Sequence, residues 1–286
     1  MKAYYERRRV LGMLLGLHAG DSLGAPVEFS DKNPSLDHRS MIDCIQRNHR
    51  KGAATDDTAL ALLVLKAMPG ISGLDINRLR KNMIDYLDSN PPGIGIATAA
   101  AIGRMKNGMK FGGTQNEDEQ GNGSLMRVAP LALLDLPIQD HQMLIDAQAS
   151  LTHAHPNCIF ADRCFVQALK NALRGKPLAE VRDLLRESLL ANKFFSDQIA
   201  NAHLQTWDDL PNSGWVVHSL HVLVWSLFNC TSFEDALIKV VNLGGDADTN
   251  GAICGAMWGA VGGVEAIPKE WLEVLEHRNE IGNLVY

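Results

Sequence analysis

Two short stretches concentrate side chains able to hold cations. Thr55-Asp56-Asp57-Thr58 runs into the apolar Ala59-Leu60-Ala61-Leu62-Leu63, and Gly244-Gly245-Asp246-Ala247-Asp248-Thr249-Asn250-Gly251 runs into an apolar, glycine-spaced segment. Both read as helix entrances, where an Asp or Thr oxygen accepts free backbone N–H groups and a negative charge opposes the helix dipole. A cap needs one acceptor, so capping leaves the remaining acids to find solvent or a cation. If the entrances converge, four carboxylates a few ångströms apart repel one another and push their pKa values up unless positive charge intervenes. Two divalent ions neutralise four such charges. Carboxylate and hydroxyl oxygens with no cysteine beside them select hard cations, Mg2+, Mn2+ or Ca2+, over zinc.

Three familiar metal patterns come close and fail. Asp246-x-Asp248-x-Asn250-Gly251 copies the first half of an EF-hand loop, but Met257 stands at its twelfth position, where a bidentate Glu is needed. Asp56-Asp57 opens like the Asp-Asp-x-x-Asp run of all-α terpenoid synthases, yet the fifth residue is Leu60. His153-Ala154-His155 has the spacing of a barrel amidohydrolase zinc pair, but that fold requires strands that this chain lacks the patterns for. Taken alone, His153 reads as a hydrogen-bonded core or cleft histidine. Gly121-Asn122-Gly123-Ser124 reads as a loop entering a helical Leu125-Met126-Arg127 segment, where free N–H groups can meet an anionic or carbonyl oxygen.

The elements that must position these residues are helical. Apolar residues recur at helix spacing, as in Leu60, Leu63, Val64 and Ala67 or Leu220, Leu223, Val224 and Leu227. Alternating β-branched runs with hairpin turns are scarce, so the sequence predicts an all-α protein with long loops near residues 30–54, 107–125 and 203–215. The glycine-rich segment between Asn107 and Ser124 is not a linker, because charge and helix period match on either side; one domain over residues 1–286 is expected. Gly12, Gly16, Gly20 and Gly24 fall four apart, as do Gly251, Gly255 and Gly259. Glycine costs a helix up to about 1 kcal/mol against alanine, so each bare stripe implies a compensating close contact, the two helices lying deep and against each other.

Composition narrows the function classes. With 27 basic and 33 acidic residues the net charge is −6, no field for holding a phosphate backbone, so nucleic acid is not expected as the primary partner. Arg7, Arg8 and Arg9 ahead of an apolar stretch imitate a signal peptide, but His18 and Asp21 interrupt it short of the roughly 20 apolar residues a bilayer needs. No export signal or membrane helix is read. Five cysteines without a C-x-x-C pair fit free thiols in a reducing, cytoplasmic compartment.

Five segments in order, Gly20-Asp21-Ser22-Leu23-Gly24-Ala25-Pro26-Val27-Glu28, Thr55-Asp56-Asp57-Thr58, Gly121-Asn122-Gly123-Ser124-Leu125-Met126-Arg127, Thr152-His153-Ala154-His155-Pro156 and Gly244-Gly245-Asp246-Ala247-Asp248-Thr249, together resemble the ADP-ribosylglycohydrolase family. The resemblance implies a compact multi-helix orthogonal bundle with a binuclear Mg2+ or Mn2+ centre that removes ADP-ribose from a modified protein side chain or small conjugate. By motif, Thr55, Asp56, Asp57, Asp246, Asp248 and Thr249 would be the metal ligands. Glu28 matches an acid that serves in relatives as ligand, substrate gate or acid–base group. Glu28 and Asp57 are the candidates for the catalytic proton, and Asn122, Gly123, Ser124 and His153 match loops around the ADP-ribose. The resemblance breaks at Pro91-Pro92-Gly93-Ile94-Gly95-Ile96-Ala97-Thr98, where an acid implicated in arginine specificity is missing, and at His218, where relatives often carry Asp. Two other readings stand beside this one. One is an immunity protein that binds and neutralises an ADP-ribosyltransferase toxin, and the other an Mg2+ enzyme of prenyl diphosphates.

Overall fold

The computed structural model describes residues 5–33, 35 and 37–285; of the N-terminal segment read above, residues 1–4 lie outside the described residues. Among the described residues no strand forms, only isolated bridges between Cys44 and His49 and between Gly121 and Trp215. The α-helices in chain order are α1 (Arg7–Gly24), α2 (Asp56–Lys66), α3 (Ile76–Asp88), α4 (Ile96–Lys106), α5 (Ile138–Ser150), α6 (Pro156–Leu173) and α7 (Leu178–Leu190). They continue with α8 (Lys193–Ile199), α9 (Val216–Asn229), α10 (Phe233–Val241), α11 (Ala247–Gly262), α12 (Lys269–Val274) and α13 (Arg278–Leu284). The all-α expectation holds.

The glycine stripes pair as expected, and their register positions the site. A Cβ on Gly12, Gly16, Gly20 or Gly24 would lie 2.2, 2.3, 1.9 or 2.4 Å from the carbonyl oxygen of Gly259, Gly255, Gly251 or Ala247 respectively. Partner numbers fall as those of α1 rise, so the two helices run antiparallel with backbones in direct contact. Every residue from Gly12 to Gly24 and from Ala247 to Ala260 is buried. By length and composition α1 is apolar enough to cross a bilayer, but 89% of that window is buried inside the protein. Its apolar surface therefore meets other helices, and around this pair one apolar cluster extends from Tyr5 to Ile281.

Antiparallel pairing sets the exit of α1, with Asp21 and the following Glu28, beside the entrance of α11, with Asp246 and Asp248. The predicted loops are present: one 3-10 turn (Ile45–Arg47) lies between residues 28 and 55, no helix lies between Lys106 and Leu125, and 3-10 turns occur at Ala202–Leu204 and Trp207–Asp209. The helix expected at Leu125-Met126-Arg127 is a single 3-10 turn. It is tied by the Met126 N–H to Asn122 O at 3.0 Å and is followed by a second 3-10 turn, Ala129–Leu133. Pro156 opens α6, where its fixed φ and missing N–H cost nothing. Cys158, Cys164, Cys230 and Cys254 are free and buried.

Candidate metal centre

At the entrance of α2 the cap is supplied from outside. Thr55 is the N-cap residue but makes no side-chain cap. Asp21 on α1 does this instead, accepting the backbone N–H of Thr55 (3.1 Å) and of Thr58 (3.1 Å), the Thr55 hydroxyl (2.7 Å) and the Thr58 hydroxyl. Because Asp21 satisfies these donors, Asp56 and Asp57 need not cap and their carboxylates turn into the pocket. Asp56 Oδ2 accepts the Gly95 N–H at 3.2 Å, and Asp57 Oδ2 accepts the Thr55 hydroxyl at 3.0 Å. Asp57 Oδ1 is fully buried with no hydrogen-bond partner among the described residues.

The entrance of α11 is arranged similarly. Gly244 and Gly245 take positive φ (65° and 60°), which glycine adopts without a Cβ penalty. Asp246 makes no cap and instead accepts from Asn122 Nδ2 at 2.6 Å, and Asp248 Oδ1 accepts the Thr249 N–H at 2.9 Å. Carboxylate oxygens of Glu28, Asp246 and Asp248 lie within 4.8 Å of one another.

The acids of the two entrances act on one another. Burial, then the charges of Asp248, Asp21, Asp56 and Asp246, push Asp57 well above the carboxylate range. Asp248 is raised by burial and then by Asp246, Asp21 and Asp56. Asp56 is pushed up to about 7, chiefly by burial, and Asp246 is raised for the same reason. An anionic cluster this poorly solvated, with hard oxygen donors and an orphaned Asp57 Oδ1, has the chemistry of a site for divalent cations. Thr55 and Thr249 stand on the same entrances, the Thr55 hydroxyl lying between the Asp21 and Asp57 carboxylates.

The loops expected to embrace a ligand do border this pocket, with different duties. Asn122 bridges Asp246 and the Ser219 hydroxyl (2.8 Å), so it orients a carboxylate directly. Gly123 is bare because a Cβ there would lie 2.5 Å from the His153 ring. His153 is buried, its Nδ1 is 2.8 Å from the Thr152 hydroxyl, and burial followed by Arg127 and Arg104 holds its pKa down to about 3. A neutral imidazole thus forms the floor under the glycine loop. Ser124 is fully buried, its hydroxyl set against the Asp162 carboxyl. His218, at the second departure, sits 4.9 Å edge-on to Trp215 and bonds to the Ser213 hydroxyl at 2.7 Å.

Several residues escaped the sequence reading. Asp21 stands in the first family segment and interrupts an apolar run, but carries no site role in the sequence reading, though an acid deep in such a run is itself the signal. Arg127, fully buried, donates to Gln148 Oε1 (2.7 Å), Gly123 O (2.7 Å) and the Thr152 hydroxyl (2.6 Å), bracing the loop before it and the loop that carries His153. Burial lowers its pKa to about 10, which still leaves it protonated at neutral pH. Tyr86 of α3 is raised by burial and then by Asp56, Asp21 and Asp57, which places its phenol in the field of the acids.

Glu28 stands at the edge of the cluster. Its carboxylate pairs with Arg47, and its carbonyl accepts from Arg47 Nη1 at 3.0 Å. The next residue, Phe29, has φ 61° and a side chain 75% exposed. A left-handed non-glycine residue costs on the order of 1–2 kcal/mol. It is held by Phe29 N–H donating to Gly245 O at 2.6 Å and Gly245 N–H to Ser30 O at 2.9 Å.

Comparison with known proteins gives one consistent result. A family model described as ADP-ribosylglycohydrolase matches residues 2–285. The chain is 30% identical over 277 residues to the ADP-ribosyl-[dinitrogen reductase] glycohydrolase of Rhodospirillum rubrum, covering 95% of this chain and 92% of that protein. It is 28% identical to the ADP-ribosylarginine hydrolase Tri1 of Serratia proteamaculans (strain 568), covering 96% and 76%. Among solved structures, an ADP-ribosylglycohydrolase-related protein complex superposes with a TM-score of 0.84 at 31% identity, covering 97% of this chain and 95% of that one.

Proposed function

Because the chain belongs to the ADP-ribosylglycohydrolase family, we propose that its acidic pocket hydrolyses the bond between ADP-ribose and a modified protein side chain, using two divalent cations, Mg2+ or Mn2+. The observation that supports this reading is that the buried carboxylates of Asp56 and Asp57 and those of Asp246 and Asp248 repel one another, each pushed up by burial or by its acidic neighbours. Asp56, Asp57, Asp246 and Asp248, with the hydroxyls of Thr55 and Thr249, would hold the ions. When bound, such a pair supplies positive charge that fixes the ribose hydroxyls and polarises a water. The favoured substrates are arginine conjugates, as in the name of the Serratia relative.

The remaining work falls to the chain's own side chains. Glycosidic cleavage spreads positive charge over the anomeric carbon and ring oxygen, which a surround of carboxylates favours. Asn122 fixes the rotamer of Asp246, and Asp21 fixes the α2 entrance that carries Asp56 and Asp57. The bare Gly121 and Gly123 let the loop lie directly on the His153 ring. Glu28 and Asp57 would take a proton from the attacking water or return one to the leaving nitrogen.

The test is release of ADP-ribose from an ADP-ribosylated arginine protein. Release is expected with Mg2+ or Mn2+, to stop with EDTA, and to return on adding the metal back. Turnover indifferent to chelation would overturn the metal reading, and turnover of no ADP-ribosyl conjugate would overturn the substrate class.

A further inference from the structure

The Arg47 guanidinium, carried on a 3-10 turn of the long segment between α1 and α2, reaches the pocket rim and is gripped there from two sides. Its Nη2 pairs with the Glu28 carboxylate, its Nη1 donates to Glu28 O at 3.0 Å, and its Cζ lies 4.9 Å from the centroid of the Phe29 ring. A carboxylate plus an aromatic face is the combination that recognises a planar, delocalised cation. Phe29 is not exposed by default: its left-handed backbone, tied to Gly245 and Ser30, turns the ring outward beside the acid. The Glu28 carboxylate in turn lies within 4.8 Å of the Asp246 and Asp248 oxygens, so whatever it holds is adjacent to the reacting centre.

We propose that Glu28 and Phe29 form the subsite for the guanidinium of an arginine acceptor, and that Arg47 is an internal occupant which an incoming arginine side chain must displace. This rests on the reading of the pocket as an ADP-ribosyl hydrolase site and names the acceptor class. Self-occupancy has a measurable cost, because an internal occupant reduces the apparent affinity of any competing guanidinium by the fraction of time the subsite is empty.

The experiment is calorimetric titration of the full-length protein with agmatine, a guanidinium without a carboxylate, and with pentylamine as the non-guanidinium control. Arg47→Ala is expected to bind agmatine about 10-fold tighter than wild type, with no comparable gain for pentylamine. Adding Phe29→Ala to that variant should reverse several-fold of the gain. In turnover, Arg47→Ala should lower KM for an arginine conjugate more than for a serine-linked one. Unchanged or weaker agmatine binding by a folded Arg47→Ala protein overturns the proposal, as does an equal gain for pentylamine. If Arg47→Ala fails to fold, Arg47→Gln, which keeps length and hydrogen bonding but loses charge, is held to the same outcomes. Because agmatine binding needs no turnover, failure here is distinct from failure of the hydrolase reading, which shows as absence of ADP-ribose release.

Discussion

Asp57 illustrates how a residue can be costly to the fold and necessary to the site. Its Oδ1 is buried without a partner, and four other acids act on it. Replacing it by Asn keeps the shape and the Thr55 contact while removing one repelling charge. In EDTA, Asp57→Asn should therefore raise Tm by a few degrees, about 1–2 kcal/mol for a chain of this size. With Mg2+ the order should invert: wild type gains about 2.7 kcal/mol at one hundred times its Kd, the variant gains much less, and hydrolysis falls by at least about a hundredfold. Thermal melts with and without Mg2+ check both halves, and equal Mg2+ stabilisation of the two proteins would refute the assignment. The acids of this cluster were legible in the sequence because their type contradicts their apolar surroundings. Asp21 and Arg127 were less so, since their meaning lies in partners such as Thr55, Thr58, Gln148 and Thr152, tens of residues away or on other elements, which spacing does not reveal.

At the scale of elements, the contact between α1 and α11 decides where the site is. A stripe of glycines at every fourth position is visible in the sequence, and the close approach it implies is what forms. Antiparallel register was not visible, because either direction buries the same bare faces; it follows from the residues that the stripes set opposite one another. Gly20→Ala would place a Cβ 1.9 Å from Gly251 O, against backbone that has nowhere to go. Forcing the helices apart should cost at least about 3 kcal/mol, the upper end of overpacking, and should separate Asp21 and Asp57 from Asp248. Gly103, in α4, is the control: a Cβ there meets nothing within 4 Å. Gly103→Ala should stabilise by about 0.5–1 kcal/mol through helix propensity and a less flexible unfolded chain. Denaturant midpoints of the two variants, with Mg2+-induced stabilisation as a second readout for Gly20→Ala, test whether the glycines are there for contact. Similar small effects at both positions would mean that the helices have room between them.

For the whole molecule, the pairing of a helix near one end of the chain with a helix near the other ties the apolar cluster into one unit. Unfolding is accordingly expected as a single calorimetric transition, which would bear on the one-domain reading of the sequence. The pH dependence of that transition carries two opposed contributions. Asp56, at about 7 in the fold against 3.8 unfolded, makes the metal-free protein most stable at low pH and less stable as pH rises through that interval. His18 and His153, held down to about 3, and His221, held down to about 4, act in the other direction. Their contribution is present above the unfolded value of 6.5 and is lost as pH falls below it toward the folded values. Between pH 4 and 6.5 the two oppose each other in EDTA, and stability should climb less steeply than the histidines alone would make it. Saturating Mg2+ or Mn2+ removes the carboxylate contribution and leaves the histidines, so stability should then climb with pH by up to about 1.4 kcal/mol per pH unit for each histidine still titrating in the unfolded chain. Competition of protons with metal for the same carboxylates adds to the slope with the same sign. Profiles of identical shape with and without metal would show that the carboxylate cluster is not where the cations bind.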